Sequence, residues 1–176
     1  MQAQAILFFS SGALLRRFIF VVVSLGLFST AAWAGSDFRD MLGNITTLED
    51  QQTPGKWTVV MIWASDCPIC NEEVGAYSKF HLKHVDNDAK MVGISIDGRE
   101  GQKDAEDFIE RNSVLFPSLI AEIETVARWY QMRTGSQFIA TPTFVLIDGK
   151  GEVRAAQVGA VPTDIIENFI ASKAES

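Results

Sequence analysis

The stretch Trp57-Thr58-Val59-Val60-Met61-Ile62-Trp63-Ala64-Ser65-Asp66-Cys67-Pro68-Ile69-Cys70 decides the fold. Its first half is a continuous apolar, β-branched and aromatic run, as a strand buried on both faces of a central sheet requires. Pro68 then marks a first helical position, because proline's missing N–H would find no partner there in any residue. A helix is expected from about Pro68 to His84, with Val74, Tyr77, Ser78 and Phe80 to Leu82 as its partly apolar face. Pro68 at N1 makes Cys67 the N-cap. Its sulfur then stands over the free N–H groups of the first turn, those of Ile69 or Cys70, at the positive end of the helix dipole. A thiolate gains most from that place. Cys67 is therefore expected to be the attacking sulfur and Cys70, inside the helix, the resolving thiol. Asp66, Glu72 and Glu73 set negative charge nearby and oppose ionisation.

Working outward, the chain alternates strand and helix. Met91 to Ile96 reads as a second buried strand, Gln102 to Arg111 as a helix with apolar Ala105, Phe108 and Ile109, and Phe116 to Ile120 as a short extended piece. Glu122 to Met132 carries Ile123, Val126, Ala127 and Tyr130 on one stripe. Thr143 to Ile147, the turn Asp148-Gly149-Lys150-Gly151, and Glu152 to Val158 form a hairpin. Thr163 caps a closing helix whose Ile165, Ile166, Phe169 and Ile170 face inward. The polar segment Asp37 to Pro54 reads as a short entry hairpin. The order predicts an α/β domain, a mixed central sheet with helices on both faces.

The chain has 176 residues, 47% hydrophobic and 21% charged, which excludes a disordered tail or a disulfide-stapled miniprotein. Net charge is −7, and since Arg16 and Arg17 are the only charges before Gly35, the rest carries −9. Such a domain repels phosphate backbones, so no nucleic-acid partner is expected. Residues 1–34 read as an export signal: Arg16 and Arg17 as basic flank, Phe18 to Phe28 as apolar core, Ala32-Trp33-Ala34 as cleavage site. A retained anchor is the alternative, because a span needs about 20 apolar residues; membrane contact follows only then. The domain proper is 35–176. Export, most simply to a bacterial periplasm, places the two cysteines where thiols oxidise.

Two other readings of the pair are open. An inert bridge across two residues closes almost no loop and stabilises little. His81 and His84 complete a Cys-x2-Cys…His-x2-His string, but at about 1.5 Å rise per residue His81 lies roughly 16 Å along the helix from Cys70. Metal bonds are about 2.0 to 2.3 Å. The histidines read as a solvated helix face, and no metal site is expected beyond soft-metal capture by the two sulfurs alone. Thr141-Pro142-Thr143 opens the hairpin strand, where proline is tolerated; X-Pro is cis in only about 5–6% of folded cases, so the residues leave the isomer open.

These motifs, from Trp63 through Cys67-Pro68-Ile69-Cys70 and Glu73, then Gly93-Ile94-Ser95-Ile96-Asp97, Phe116-Pro117, Thr141-Pro142-Thr143 and Gly149-Lys150-Gly151, resemble the TlpA/ResA-like branch of the thioredoxin superfamily. The resemblance covers about Asp37 to Ser172. It implies the thioredoxin fold, a four-stranded core sheet with flanking helices and an N-terminal extension. It carries Cys67 over as nucleophile and Cys70 as resolving thiol, with their redox-active disulfide and no other cofactor. Pro142 matches the family's cis-proline, which presents Thr141 backbone groups to an extended substrate strand. Glu73 matches an acid that helps proton transfer at Cys70, or is a first-turn acid favoured by the dipole. Pro68 and Trp63 support the pair.

Three departures stand out: Asp66 replaces the aromatic residue usual before the first cysteine, Met61 stands where thioredoxin has a buried acid, and Met132 to Phe138 is longer than usual. The activity implied is thiol-disulfide exchange, with protein disulfides as substrates. The leading form is a periplasmic reductase kept reduced by a membrane electron donor and serving cytochrome c maturation. An oxidase or isomerase of the same fold, and a non-catalytic metal-binding or chaperone module, are the alternatives. A peroxidase lacks support, because Pro-x-x-x-Thr-x-x-Cys is missing.

Overall fold

The computed structural model describes residues 38–174; the leader, the cleavage site and the anchor alternative lie outside them. The expected buried run is β3 (Trp57–Trp63), flanked in parallel by β4 (Ala89–Ser95) in the register Val59 with Met91 and Trp63 with Ser95, and antiparallel by β6 (Thr143–Ile147). β5 (Ser118–Ile120) runs parallel to β4, and β7 (Val153–Val158) is the antiparallel partner of β6. The entry hairpin is β1 (Phe38–Asp40) with β2 (Ile45–Thr46), and it pairs with β5. The sheet is thus seven strands wide, in the order β2-β1-β5-β4-β3-β6-β7. It is broader than the four strands expected because the hairpin and β5 continue it beyond β4.

Helices cover both faces. Val59, Met61 and Trp63 point to the face packed by α1 (Pro68–His84), α2 (Gln102–Arg111) and α4 (Thr163–Ala174). Val60 and Ile62, alternating with them, face α3 (Ile123–Thr134), Phe38 and Leu48. Trp129 joins Val126 and Tyr130 in that layer, while Ile123 is 45% exposed at the helix start. In α4 the inward pair is Ile166 and Ile170, one turn apart, and Ile165 points outward; Leu82 of α1 is exposed likewise. Thr163 is the first helical residue and not the cap. The Pro162 carbonyl receives the Ile166 N–H at 3.3 Å.

The histidines overturn their expected solvated place. Cys70, Val74, Tyr77 and His81 recur at spacings of four and three, so His81 belongs to the buried stripe of α1. Its Nδ1 accepts the Met91 N–H at 3.2 Å. That N–H has the same strand parity as Gly93, whose N–H reaches the Pro117 carbonyl at the start of β5. Among the described residues the β4–β5 pairing begins only at Gly93, so no strand meets the Met91 N–H, and His81 supplies the acceptor. Burial, and then the charge of Lys90, hold the His81 pKa below its ordinary value. His84 stacks on Phe80 with centroids 4.5 Å apart and meets Asp88 at 2.7 Å and Glu167 of α4 at 3.3 Å.

Gly93 owes its identity to close approach. A Cβ there would lie 2.7 Å from Trp63 Nε1 and would collide with Ser118 Oγ, in the middle of a sheet where neither backbone yields.

Two predictions follow from this packing. Gly93→Ala should cost about 1–3 kcal/mol by overpacking, read as a lower urea midpoint with unchanged slope; a neutral result would mean that the Trp63 and Ser118 side chains move freely. For His81, the unfolded chain takes up a proton below pH about 6.5 while the folded chain resists it, so the stability this histidine contributes is present above that pH and is lost as pH falls toward the folded pKa. His81→Leu, which orphans the Met91 N–H, should be about 1–2 kcal/mol less stable than wild type at pH 8, and the gap should narrow on acidification. A gap that stays constant from pH 8 to 5 would refute this role.

Candidate active site

β3 ends at Trp63, and only Ala64, Ser65 and Asp66 separate it from the N-cap of α1. Cys67 has extended backbone (φ −76°, ψ 111°), Pro68 begins the helix, and the Cys67 sulfur accepts the Cys70 N–H at 3.1 Å. Of the two donors expected, Cys70 is the one used. Cys67 and Cys70 are disulfide-bonded, with Cα atoms 5.2 Å apart. Cys67 is 7% exposed and Cys70 fully enclosed, so a visitor meets the first sulfur only. Pro68 and Ile69 form the exposed lip beside it.

Trp63 belongs to the same buried cluster as the pair. It is buried and stacks on Phe108 of α2 with ring centroids 4.2 Å apart at 20°, an arrangement worth about 0.5–1.5 kcal/mol beyond the area it buries. Met61 lies wholly in the core, so no carboxylate stands beneath the cysteines at that position. Glu73 is half-exposed in the second turn of α1, and no acid occupies the first turn, which removes the dipole explanation for it. Its charge acts on Tyr77, whose pKa is raised by burial first and by Glu73 in addition. The Tyr77 hydroxyl donates to the Val161 carbonyl at 3.1 Å and receives the Val161 N–H at 3.2 Å, tying α1 to the segment before α4.

The Thr141–Pro142 peptide is cis. Register places it: Thr143 pairs with Ile62, so Pro142 stands at the end of β3 from which the cysteine turn departs. Pro142 is buried, and its carbonyl is taken by the Gly159 N–H at 2.8 Å. Thr143 Oγ1 donates to the Ala140 carbonyl at 2.6 Å, closing the bend. Among the described residues nothing hydrogen-bonds to the backbone of Thr141. The long segment before it is partly absorbed into α3, which runs to Thr134 and stops at Gly135 in the left-handed conformation (φ 74°). Phe138 then packs on Tyr130, leaving Ile139 exposed ahead of Thr141.

His81 and His84 have partners on β4 and α4 and do not gather with the cysteines. Two residues that the motif reading gave no role do converge on the site. Asp97 accepts the Ser65 N–H at 3.1 Å and the Ser65 hydroxyl at 2.9 Å. Asn71 donates to the carbonyls of Cys67 at 2.9 Å and Ser65 at 3.3 Å, and its own oxygen receives Asn112 and Arg111 from the end of α2. The strand register contains the signal for Asp97. Trp63 pairs with Ser95, so the residues two beyond each, Ser65 and Asp97, leave the sheet side by side at the carboxyl ends of parallel strands.

The model of the AhpC/TSA family matches residues 33–156. The chain is 26% identical over 124 residues to sporulation thiol-disulfide oxidoreductase A of Bacillus subtilis, covering 69% of this chain and 72% of that protein. It is 23% identical to thiol-disulfide oxidoreductase ResA of Halalkalibacterium halodurans, over 70% of this chain and 66% of the relative. A stretch of 53 residues is 42% identical to alkyl hydroperoxide reductase C of Mycobacterium tuberculosis, covering 30% of this chain and 27% of that one. Among solved structures, StoA from Bacillus subtilis superposes with TM-score 0.59 at 22% identity, over 75% of this chain and 92% of its own. A thioredoxin-family thiol:disulfide interchange protein from Chlorobium tepidum gives 0.63 at 16% identity, over 78% and 94%. These superpositions establish the thioredoxin fold, with the Cys67–Cys70 pair at the start of its first helix. The chain belongs to the AhpC/TSA family and is a thiol-disulfide oxidoreductase, similar to relatives of the TlpA/ResA-like type.

Proposed function

We propose that the protein reduces disulfides of other proteins outside the cytoplasm, in a periplasm, with the Cys67–Cys70 dithiol as its working group. The observation that carries this is the asymmetry of the pair: Cys67 at the rim with a hydrogen-bond donor on its sulfur, Cys70 enclosed beneath it. In the reduced protein Cys67 as thiolate attacks one sulfur of a substrate disulfide; the substrate S–S bond breaks and its second sulfur leaves as a thiolate that takes up a proton. Cys70 then loses its proton and attacks Cys67 Sγ, forming the intramolecular disulfide and releasing the first substrate sulfur. The released sulfur is protonated in turn, so the substrate gains two electrons from the dithiol and two protons, one equivalent to that lost by Cys70 and one from solvent, which took the Cys67 proton earlier. A membrane thiol-disulfide electron donor resets the pair, and clients in cytochrome c maturation fit the resemblance.

Glu73, three positions along α1 from Cys70, takes the proton that Cys70 surrenders. Thr141, ahead of the cis-proline Pro142, lends its backbone groups to an extended substrate segment. Pro68 keeps the first turn free of an N–H that would compete for the sulfur, and Trp63 excludes water behind it. The export-type leader supports the compartment. Asp66 at the rim and the other acids disfavour a thiolate, which favours reduction over oxidation. The likeness to alkyl hydroperoxide reductase C covers only 30% of this chain, and Val60 and Ala64 stand where the peroxidase motif needs proline and threonine, so the peroxidase reading is set aside.

Cys70→Ser should accumulate mixed disulfides between Cys67 and client proteins in cells, separable on non-reducing gels; absence of any trapped protein counts against exchange on proteins. The midpoint potential against glutathione should lie near thioredoxin's value of about −270 mV, and one near about −120 mV would make the protein an oxidase instead.

A further inference from the structure

Opening the Cys67–Cys70 disulfide releases the covalent tie on the attacking sulfur, so something else must hold it over the helix end while it reacts. The turn that carries it is short, and one residue in it, Ser65, is gripped from both sides. From β4 comes the Asp97 carboxylate, which takes both the Ser65 N–H (3.1 Å) and the Ser65 hydroxyl (2.9 Å). Accepting both groups of one residue fixes its backbone direction and its side-chain rotamer together. Asp97 is itself fixed: Ser95 Oγ donates to it at 2.6 Å and receives the Asp97 N–H at 3.1 Å. Ser95 lies in the sheet, register-paired with Trp63. From the other side Asn71 holds the carbonyls of Ser65 and Cys67 and is anchored to α2.

We propose that Asp97 is a positioning residue for Cys67. Through Ser65 it holds the turn between β3 and α1 in the conformation that seats the Cys67 sulfur on the Cys70 N–H. The inference rests on Cys67 being the attacking sulfur, as proposed above. The path of constraint runs from β4 through Ser95 and Asp97 to Ser65, and two residues on to Cys67, whose own N–H closes the turn on the Ala64 carbonyl at 3.2 Å. Hydrogen bonds to an ionised acceptor are roughly twice as strong as neutral ones, which is why a carboxylate suits a brace that must act without the disulfide. The bond from Cys70 N–H then stabilises the thiolate more than the thiol.

The test is the pH dependence of iodoacetamide alkylation of Cys67 in reduced, full-length protein carrying Cys70→Ser, which leaves the backbone donor in place. Asp97→Ala should move the half-point of the profile upward by about one pH unit, roughly a tenfold loss of thiolate at neutral pH. Asp97→Asn keeps an acceptor for Ser65 and should restore most of the profile, and Ser65→Ala should shift it upward by less than Asp97→Ala. The inference is overturned if Asp97→Ala reproduces the parent profile while lowering only the unfolding temperature, because Asp97 is then a structural brace. It is overturned as well if Asp97→Ala and Asp97→Asn both shift the profile downward, because Asp97 then acts as charge alone. Should Asp97→Ala fail to fold, Ser65→Ala and Asp97→Asn decide between the same outcomes. A parent Cys67 that titrates like a free thiol, near pH 8.5, would instead sink the assignment of the attacking sulfur.

Discussion

The hydrogen bond from the Cys70 N–H to the Cys67 sulfur exists only because four residues separate the end of a strand from the start of a helix. β3 stops at Trp63, since its pairing with β4 ends there and its pairing with β6 one residue earlier. Pro68 must open the helix, since its fixed φ suits N1 and its nitrogen has no hydrogen to donate. Between these two constraints Cys67 has no choice but the cap. Everything chemical about the molecule hangs on that forced position, because an N-cap side chain faces unpaired donors that water alone would otherwise satisfy.

Much of this was legible in one dimension. The run Trp57 to Trp63 and the pair Gln102 to Arg111 and Thr143 to Ile147 were bounded as they stand in the structure, because apolar content, proline and turn residues all pointed the same way. The seven-strand width was not legible: the entry hairpin and the extended piece up to Ile120 were, but with three residues in β5 and two in β2 nothing in their pattern told that they pair and extend the sheet. His81 was misread although its spacing from Cys70, Val74 and Tyr77 placed it on the buried stripe; a polar residue type outweighed the periodicity. The true reason for its burial, an orphaned strand N–H on Met91, is a tertiary fact. Ile165, Leu82 and Ile123 failed the other way, as apolar residues at helix edges for which the core had no room.

The site was legible only along the chain, and its parts that lie across the sheet were not. Cys67, Cys70 and Pro68 announce themselves by adjacency. Asp97 sits thirty residues away and reaches Ser65 through the parallel register, and Asn71 matters because the end of α2 arrives beside it. Such residues become visible once the strands are aligned, at the carboxyl ends where parallel sheets place their functional groups.

Acidity around the pair is better understood as divided labour than as a uniform field. Asp66 is exposed, so solvent and salt screen it, and what it does is confined to the rim that a partner touches. Asp97 is half-buried and spends its lone pairs on Ser65 and Ser95, so its charge is largely answered by the dipoles it orders. Met61, wholly buried in the same cluster as the two cysteines, brings no charge there. Along α1, Glu73 follows Cys70 by three positions and its charge adds to burial in raising the Tyr77 pKa, while the Tyr77 hydroxyl is held by Val161. The buried sulfur is thus enclosed by apolar neighbours while the rim sulfur alone is reachable, and this arrangement asks only that the first two turns of α1 stay where the β3 end put them.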